Sequence, residues 1–257
     1  MRIKYVVSSM VFWGHQSRLS LERECRLLKS LGFGIELWPN TGGLDECRYD
    51  RTNWPRLAAA TEGMTVSMRS RNDNPTIEQW LEQIQCAKLL NANIVADLKS
   101  LAIGQTGEDN PLDFAAEVVK IADENDCLIC IETGPLDKLK RLGEKFNSIR
   151  YCLDTGFASI DPNFSFRDYV DMLADRVVHL HLSDNFGSSD DHEPLGCACG
   201  LQRRDWDYLL NCLNKYDNDV IGSLEMSPCP PLIMIHKASE YLFDQLKWPE
   251  RPKEEPI

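Results

Sequence analysis

The sequence is short of positive charge and of histidine, and it has no long hydrophobic run. Lys and Arg number 28 against 40 Asp and Glu, a net charge of −12 over 257 residues. Nucleic-acid binding depends on cations that neutralise phosphates, so this balance argues against it as the main function, a local basic patch aside. No stretch approaches the roughly 18 unbroken apolar residues of a membrane helix. The opening MRIKYVVSSMVFWGH lacks a longer apolar region ending at a small-residue cleavage site, so it reads as a first strand rather than a secretion signal. No linker or break in composition divides the chain. Residues 1–247 are therefore expected to form one domain, followed by a frayed, Pro- and charge-rich tail over 248–257. Cysteine is not scarce, but its ten residues are scattered. Cys86, Cys130, Cys152 and Cys212 fall inside strand or helix patterns, where thiols act as small hydrophobes. That usage fits a reducing, cytoplasmic setting.

What is present is a regular alternation. IKYVVSS precedes SLERECRLLKSLG, whose Leu21, Cys25, Leu28 and Leu31 fall at helical spacing between a capping Ser20 and a terminating Gly32. GFGIELW leads through a turn-rich stretch to a short helix near 54–62. TVSMRS leads to a helix that Thr76 can cap, and NIVADL to one with Pro111 in its first turn. CLICIE, RYCLD, VVHLHLSD and IGSLE complete the set, each followed by a helical segment, the last near 235–247. Eight strand–helix units in this length predict a single (β/α)8 barrel of the α/β class. The competing open, doubly wound sheet usually carries a glycine-rich phosphate loop after its first strand, and SSMVFWGHQS has none.

Six of the runs end on an ionisable residue: Glu36, Asp97, Glu132, Asp154, His181 with Asp184, and Glu225. In a parallel barrel all C-terminal strand ends open on one face, where the loops build the active site. Alternation adds a test of direction. If Glu132, Asp154, His181 and Glu225 face the axis, then Cys130, Cys152, His179 and Ser223 fill the layer beneath. Three carboxylates and an imidazole so gathered would repel or take up protons unless a cation sat among them. An O₃N set suits one divalent ion, manganese by preference, with cobalt, magnesium or zinc as alternatives. His179 is expected to support the site from below.

These residues resemble the xylose isomerase-like TIM-barrel superfamily, which includes ketose 3-epimerases, inosose dehydratases, sugar-phosphate isomerases and endonuclease IV. In that family strands five to eight end in Glu, Asp, His and Glu, which bind one divalent metal. The matching positions are Glu132 in ICIETGP, Asp154 in CLDTG, His181 in HLHLSD and Glu225 in SLEMSP. DHEPLG (191–196) resembles the family's D-x-H-x-P-x-G loop, and the pair Asp205–Trp206 its acidic–aromatic helix start. There are departures. Phe157 stands where many members have histidine, and Phe186–Gly187 where ketose epimerases commonly have an arginine. With five histidines in all, the three-zinc arrangement of the endonuclease branch is poorly supported.

The resemblance implies an isomerase or epimerase acting on a sugar or sugar-like hydroxy-ketone. A divalent metal acidifies the proton beside a carbonyl by stabilising the enediolate. Glu132 and Glu225 are the natural pair to remove and return that proton. Loss of a β-hydroxyl instead would make the same site a dehydratase or lyase, so both chemistries stay open. Four further residues are candidates for substrate binding: Glu36 on a hydroxyl, His192 on the covering loop, Trp13 against an apolar sugar face, and Asp184 orienting His181. Arg69 and Arg71 could hold a phosphate or carboxylate but are expected at the rim in salt bridges. Cys197, Cys199 and the Cys127–Cys130 pair are assigned to packing. The expected partner is a small carbohydrate, with no nucleic acid or membrane, and a homo-oligomer is compatible with the sequence. The remaining alternatives are a phosphodiesterase of the endonuclease kind and a non-catalytic barrel subunit.

Overall fold

Every β-branched run forms a strand, and the eight strands close into a parallel barrel in chain order. The computed structural model describes residues 1–13, 20–40, 47–71, 74–103, 112–197, 200–228 and 230–253. The strands are β1 (Ile3–Ser8), β2 (Gly34–Leu37), β3 (Val66–Arg69), β4 (Asn93–Ala96), β5 (Ile129–Glu132), β6 (Arg150–Asp154), β7 (Val177–Leu182) and β8 (Val220–Leu224). β8 pairs with β1 in a register that sets Val6 beside Ser223 and closes the ring. The helices are α1 (Leu21–Ser30), α2 (Trp54–Thr61), α3 (Ile77–Leu90), α4 (Asp113–Glu124), α5 (Leu136–Lys145), α6 (Thr155–Ile160), α7 (Phe166–Leu173), α8 (Arg203–Tyr216) and α9 (Pro231–Ser239). Thr76 opens α3 with a capping box to Gln79, and Asn91 ends it at a left-handed φ of 51°. Pro111 and Cys199 lie outside the described residues.

Two interiors result. The large apolar core lies between strands and helices, where Ile35, Met68, Leu180 and Leu224 meet Leu28, Trp80, Tyr169 and Leu209. Inside the barrel a much smaller apolar group, Val95, Cys130 and Cys152, forms a separate cluster. The rest of the barrel lumen is polar, with Ser67, Asn93, His179 and Ser223 all buried. Cys127 belongs to the outer core and Cys130 to the inner cluster, so the barrel wall separates these two thiols.

The C-terminal region differs from expectation in two ways. The last α-helix begins at Pro231 and runs into a π-helical turn over Glu240–Gln245, in place of one helix near 235–247. The tail, expected to fray, is docked as far as it is described. Trp248 is 4% exposed and meets the Trp206 ring edge-on at 5.7 Å. The Tyr5 hydroxyl donates to the Pro249 carbonyl at 2.9 Å, and the Ile3 amide to Glu250 Oε2 at 2.8 Å. Lys253 crosses Gly32 so closely that a Cβ there would lie 2.3 Å from its carbonyl oxygen. A segment rich in Pro and charge thus reads as solvated, but one Trp gives it an anchor. Trp248→Ala is expected to destabilise the fold by about 3 kcal/mol in chemical denaturation, whereas a frayed tail would lose about 0.5 kcal/mol or less.

Candidate metal centre at the barrel mouth

Glu132 and Asp154 are the last residues of β5 and β6, His181 lies one residue before the end of β7, and Glu225 directly follows β8. Parity turns all of them to the axis at one height. One ligand atom from each of the four lies within 4.8 Å of all the others. Two atoms at the centre, His181 Nδ1 and Glu225 Oε2, are buried without a hydrogen bond. They are 2.7 Å apart, and Nδ1 is 2.8 Å from Glu132 Oε1 and 3.8 Å from Asp154 Oδ2. These contacts are short, yet the oxygens lie off the line of an N–H bond. Lone pairs that converge on a common point rather than on one another are an arrangement that a cation fits. The donor set, three carboxylates and an imidazole, matches a hard or borderline divalent ion.

A second layer fixes the imidazole. Glu36 is fully buried, and its Oε2 lies 3.3 Å from His181 Nε2 and 2.9 Å from His179 Nε2. Ser67 and Ser223 donate to its two oxygens at 3.2 and 3.3 Å. An ionised carboxylate only accepts, so Glu36 takes the Nε2 proton and turns Nδ1 toward the cluster. Glu36 thus sits beneath the His181 imidazole instead of on a substrate hydroxyl. His179 lies one layer down, its Nδ1 3.2 Å from the Asn93 amide nitrogen. Burial holds His179 below its ordinary pKa against the pull of Glu36, which leaves it neutral. Burial alone would neutralise Glu36 as well, but His181 and His179 hold it well below the usual carboxylate range.

Burial opposes charge on His181 too, yet the surrounding Cys152, Glu225, Glu36 and Asp154 raise it well above its ordinary value. Glu132 faces the same contest, and the Arg69 guanidinium and His181 hold it well below the carboxylate range. Arg69 grips Glu132 with both terminal nitrogens, Nη2 donating to Oε2 at 2.8 Å and Nη1 to Oε1. It is therefore inside the mouth, whereas Arg71 keeps the rim position expected of it, paired with Asp50 at 2.8 Å. Asp154 divides its two oxygens: Oδ1 accepts from the Phe157 amide at 3.0 Å and caps α6, while Oδ2 faces His181.

The loop after β7 folds back across this face. Asp184 and Glu193 exchange backbone hydrogen bonds of 2.8 Å, and the Ser227 amide donates to the His192 carbonyl at 2.8 Å. Asp184 was expected to orient His181. Its carboxylate instead accepts from the Asn185, Gly196 and Gly200 amides at 2.9, 3.2 and 3.0 Å, which fixes the loop. His192, at a left-handed φ of 52°, lies 3.5 Å from Asp190. Asp190 Oδ1 and His192 Nδ1 are both buried without partners. Burial and the charge of Asp154 push Asp190 up to about 7. Burial lowers His192, but Glu225, Asp154 and Asp190 outweigh it and raise the group. Gly156 makes this approach possible, because a Cβ there would lie 2.7 Å from Asp190 Oδ1. Trp13 packs edge-on against Trp38 at 5.0 Å, with its indole nitrogen buried and unpartnered. Asp97 turns away to accept from the Ser100 amide at 2.6 Å.

Sequence reasoning missed Asp190 and Trp38 and left Arg69 at the rim. The parity rule could have found Arg69, because Ser67, two residues earlier on β3, points inward to Glu36. Asp190 carries no signal of its own within SSDDH.

The sequence matches no protein-family model and no curated protein. Solved structures do resemble it. A D-tagatose 3-epimerase-like protein superposes with a TM-score of 0.74 at 17% identity, covering 95% of this chain and 97% of its own. A 3-keto-D-glucoside 4-epimerase from E. coli gives 0.66 at 13% identity, over 96% and 99%. A xylose isomerase domain-containing protein from Salmonella typhimurium LT2 gives 0.65 at 14% identity, over 95% and 97%. These likenesses show a shared (β/α)8-barrel fold over nearly the full length of each neighbour.

The raised His181 makes one consequence measurable. The surrounding carboxylates favour a proton on His181, and ligation needs its Nδ1 free of one, so ion binding should weaken as pH falls. Titration calorimetry of metal-free protein with Mn²⁺ at pH 7, in buffers of different ionisation enthalpy, should report release of about one proton per ion. Binding with no proton release would contradict the assignment of His181.

Proposed function

We propose that this barrel is a divalent-metal-dependent isomerase or epimerase of sugars or sugar-like hydroxy-ketones. The observation that carries the reading is the convergence of Glu132, Asp154, His181 and Glu225, with His181 Nδ1 and Glu225 Oε2 buried and unpartnered. The neighbours named as sugar epimerases support the substrate class. A divalent ion held by those four residues, manganese by preference, would supply Lewis-acid stabilisation of negative charge on substrate oxygens.

The protein's own residues do the rest. Glu225, through the carboxylate oxygen not turned to the ion, would take the proton beside the carbonyl, and Glu132 approaches from a strand three places away in the ring. Return of the proton to the other face of the same carbon inverts it, and return to the neighbouring carbon isomerises the substrate. Glu36 keeps His181 in one tautomer through repeated turnovers. The loop carrying Asp190 and His192 excludes water and offers hydrogen-bonding groups to substrate hydroxyls. Trp13 and Trp38 provide an aromatic wall beside Arg69, suited to the apolar face of a sugar ring.

A second reading has a specific basis. The Asp190–His192 pair, with two buried polar atoms to spare, could protonate a departing hydroxyl, which would make the product that of a dehydratase.

The test is a panel of ketoses, aldoses and inososes assayed with Mn²⁺-loaded protein, following hydrogen exchange from D₂O by NMR. One deuteron should enter at the carbon beside the carbonyl, with epimer or isomer formation. Glu225→Gln should lower turnover by about 10²–10⁴-fold while the fold survives. Full activity in that variant would overturn the two-glutamate chemistry, and loss of water from the substrate would select the dehydratase.

A further inference from the structure

We propose that Arg69 is a positioning residue that shares Glu132 with the divalent ion, restraining the carboxylates when the ion is absent and setting how tightly the ion binds. The inference rests on the metal-dependent reading above and extends it to a residue outside the ligand set.

Arg69 is built into the mouth from three directions. Its backbone carbonyl accepts from the Tyr49 hydroxyl at 2.7 Å, and the same hydroxyl lies 2.6 Å from the Leu37 carbonyl, tying the ends of β2 and β3. Its guanidinium stands 5.0 Å from the centre of the Trp38 ring, a cation–π contact. Trp38 is itself fixed, its backbone amide donating to Ser9 Oγ at 3.0 Å and its indole nitrogen to Ser8 Oγ at 2.8 Å. The forked contact with Glu132 completes the set. The side chain is only 10% exposed and Glu132 only 14%. This is not a rim salt bridge that solvent would screen.

The two partners of Glu132 act in opposite senses. Without the ion, Arg69 offsets one of several buried negative charges, and removing it would leave Glu132 with His181 alone, shared among three other carboxylates, which is destabilising for a buried charge. With the ion, the fixed positive charge of Arg69 repels it across a few ångströms of low-dielectric interior. Arg69 therefore stabilises the metal-free state at the expense of ion affinity. A residue that merely shapes the pocket would move both quantities the same way.

The experiment uses chelator-treated full-length protein, Mn²⁺ as the probe, and two readouts: thermal melting without the ion, and the Kd for Mn²⁺ by calorimetry. Arg69→Met should melt several degrees lower than wild type without the ion, yet bind Mn²⁺ at least about tenfold more tightly. Arg69→Lys, which keeps the charge but not the planar fork, should fall between the two in both readouts and serves if the Met variant does not fold. An affinity in Arg69→Met equal to or weaker than wild type overturns the proposal while leaving the metal site standing. Failure of wild type itself to bind Mn²⁺ overturns the metal-dependent reading and this inference with it.

Discussion

Four carboxylates buried in a closed barrel set the terms for everything around them. Glu36, Glu132, Asp154 and Glu225 surround the His181 imidazole, with Arg69 the one permanent cation touching the group among the described residues. Charges removed from water are tolerated only where partners replace the lost solvation. The lumen is accordingly furnished with small polar and thiol side chains, Ser67, Ser223, Asn93, Cys130 and Cys152, in place of the bulky branched residues that usually fill such a barrel. Stability is left to the outer layer, where the strands meet the helices.

The carboxylates differ in what they face. Glu36 is held by two serine hydroxyls and looks only at histidine, so it acts on imidazole orientation. Glu132 is gripped by Arg69, Asp154 caps a helix with one oxygen, and Glu225 keeps an oxygen unpartnered. Four carboxylates carried by β2, β5, β6 and the end of β8 thus acquire four environments, and environment rather than identity sets what each can do. The β7 loop adds a further carboxylate, Asp190, which packs against residue 156 so closely that a side chain there would meet it.

Much of this was legible in the sequence, and the reasons are physical. Strands and helices announce themselves by period, so all eight units and their order could be read, and parallel topology sends every strand end to one face. The alternation in VVHLHL put His179 under His181, as observed, because side-chain direction in a strand is fixed by position. Depth was not legible. Glu132 is the last residue of β5 and Glu36 the last but one of β2, yet Glu36 lies a layer lower, since barrel stagger and not sequence sets the height of each end. Partner choice was not legible either: Asp184 turns to backbone amides of its own loop, and Arg69 leaves the rim for Glu132, both decided by tertiary contacts. The tail misled for a related reason, because the docking of Trp248 depends on a surface assembled by Trp206 and the closing π-helical turn.

The central claim is that the cluster at the mouth exists to hold an ion, and anomalous diffraction from crystals grown with Mn²⁺ tests it most directly. A single manganese peak among Glu132, Asp154, His181 and Glu225, absent from His181→Ala crystals, is the expected result. No peak there at saturating Mn²⁺, with His181 still packed against the unliganded carboxylates, would contradict it.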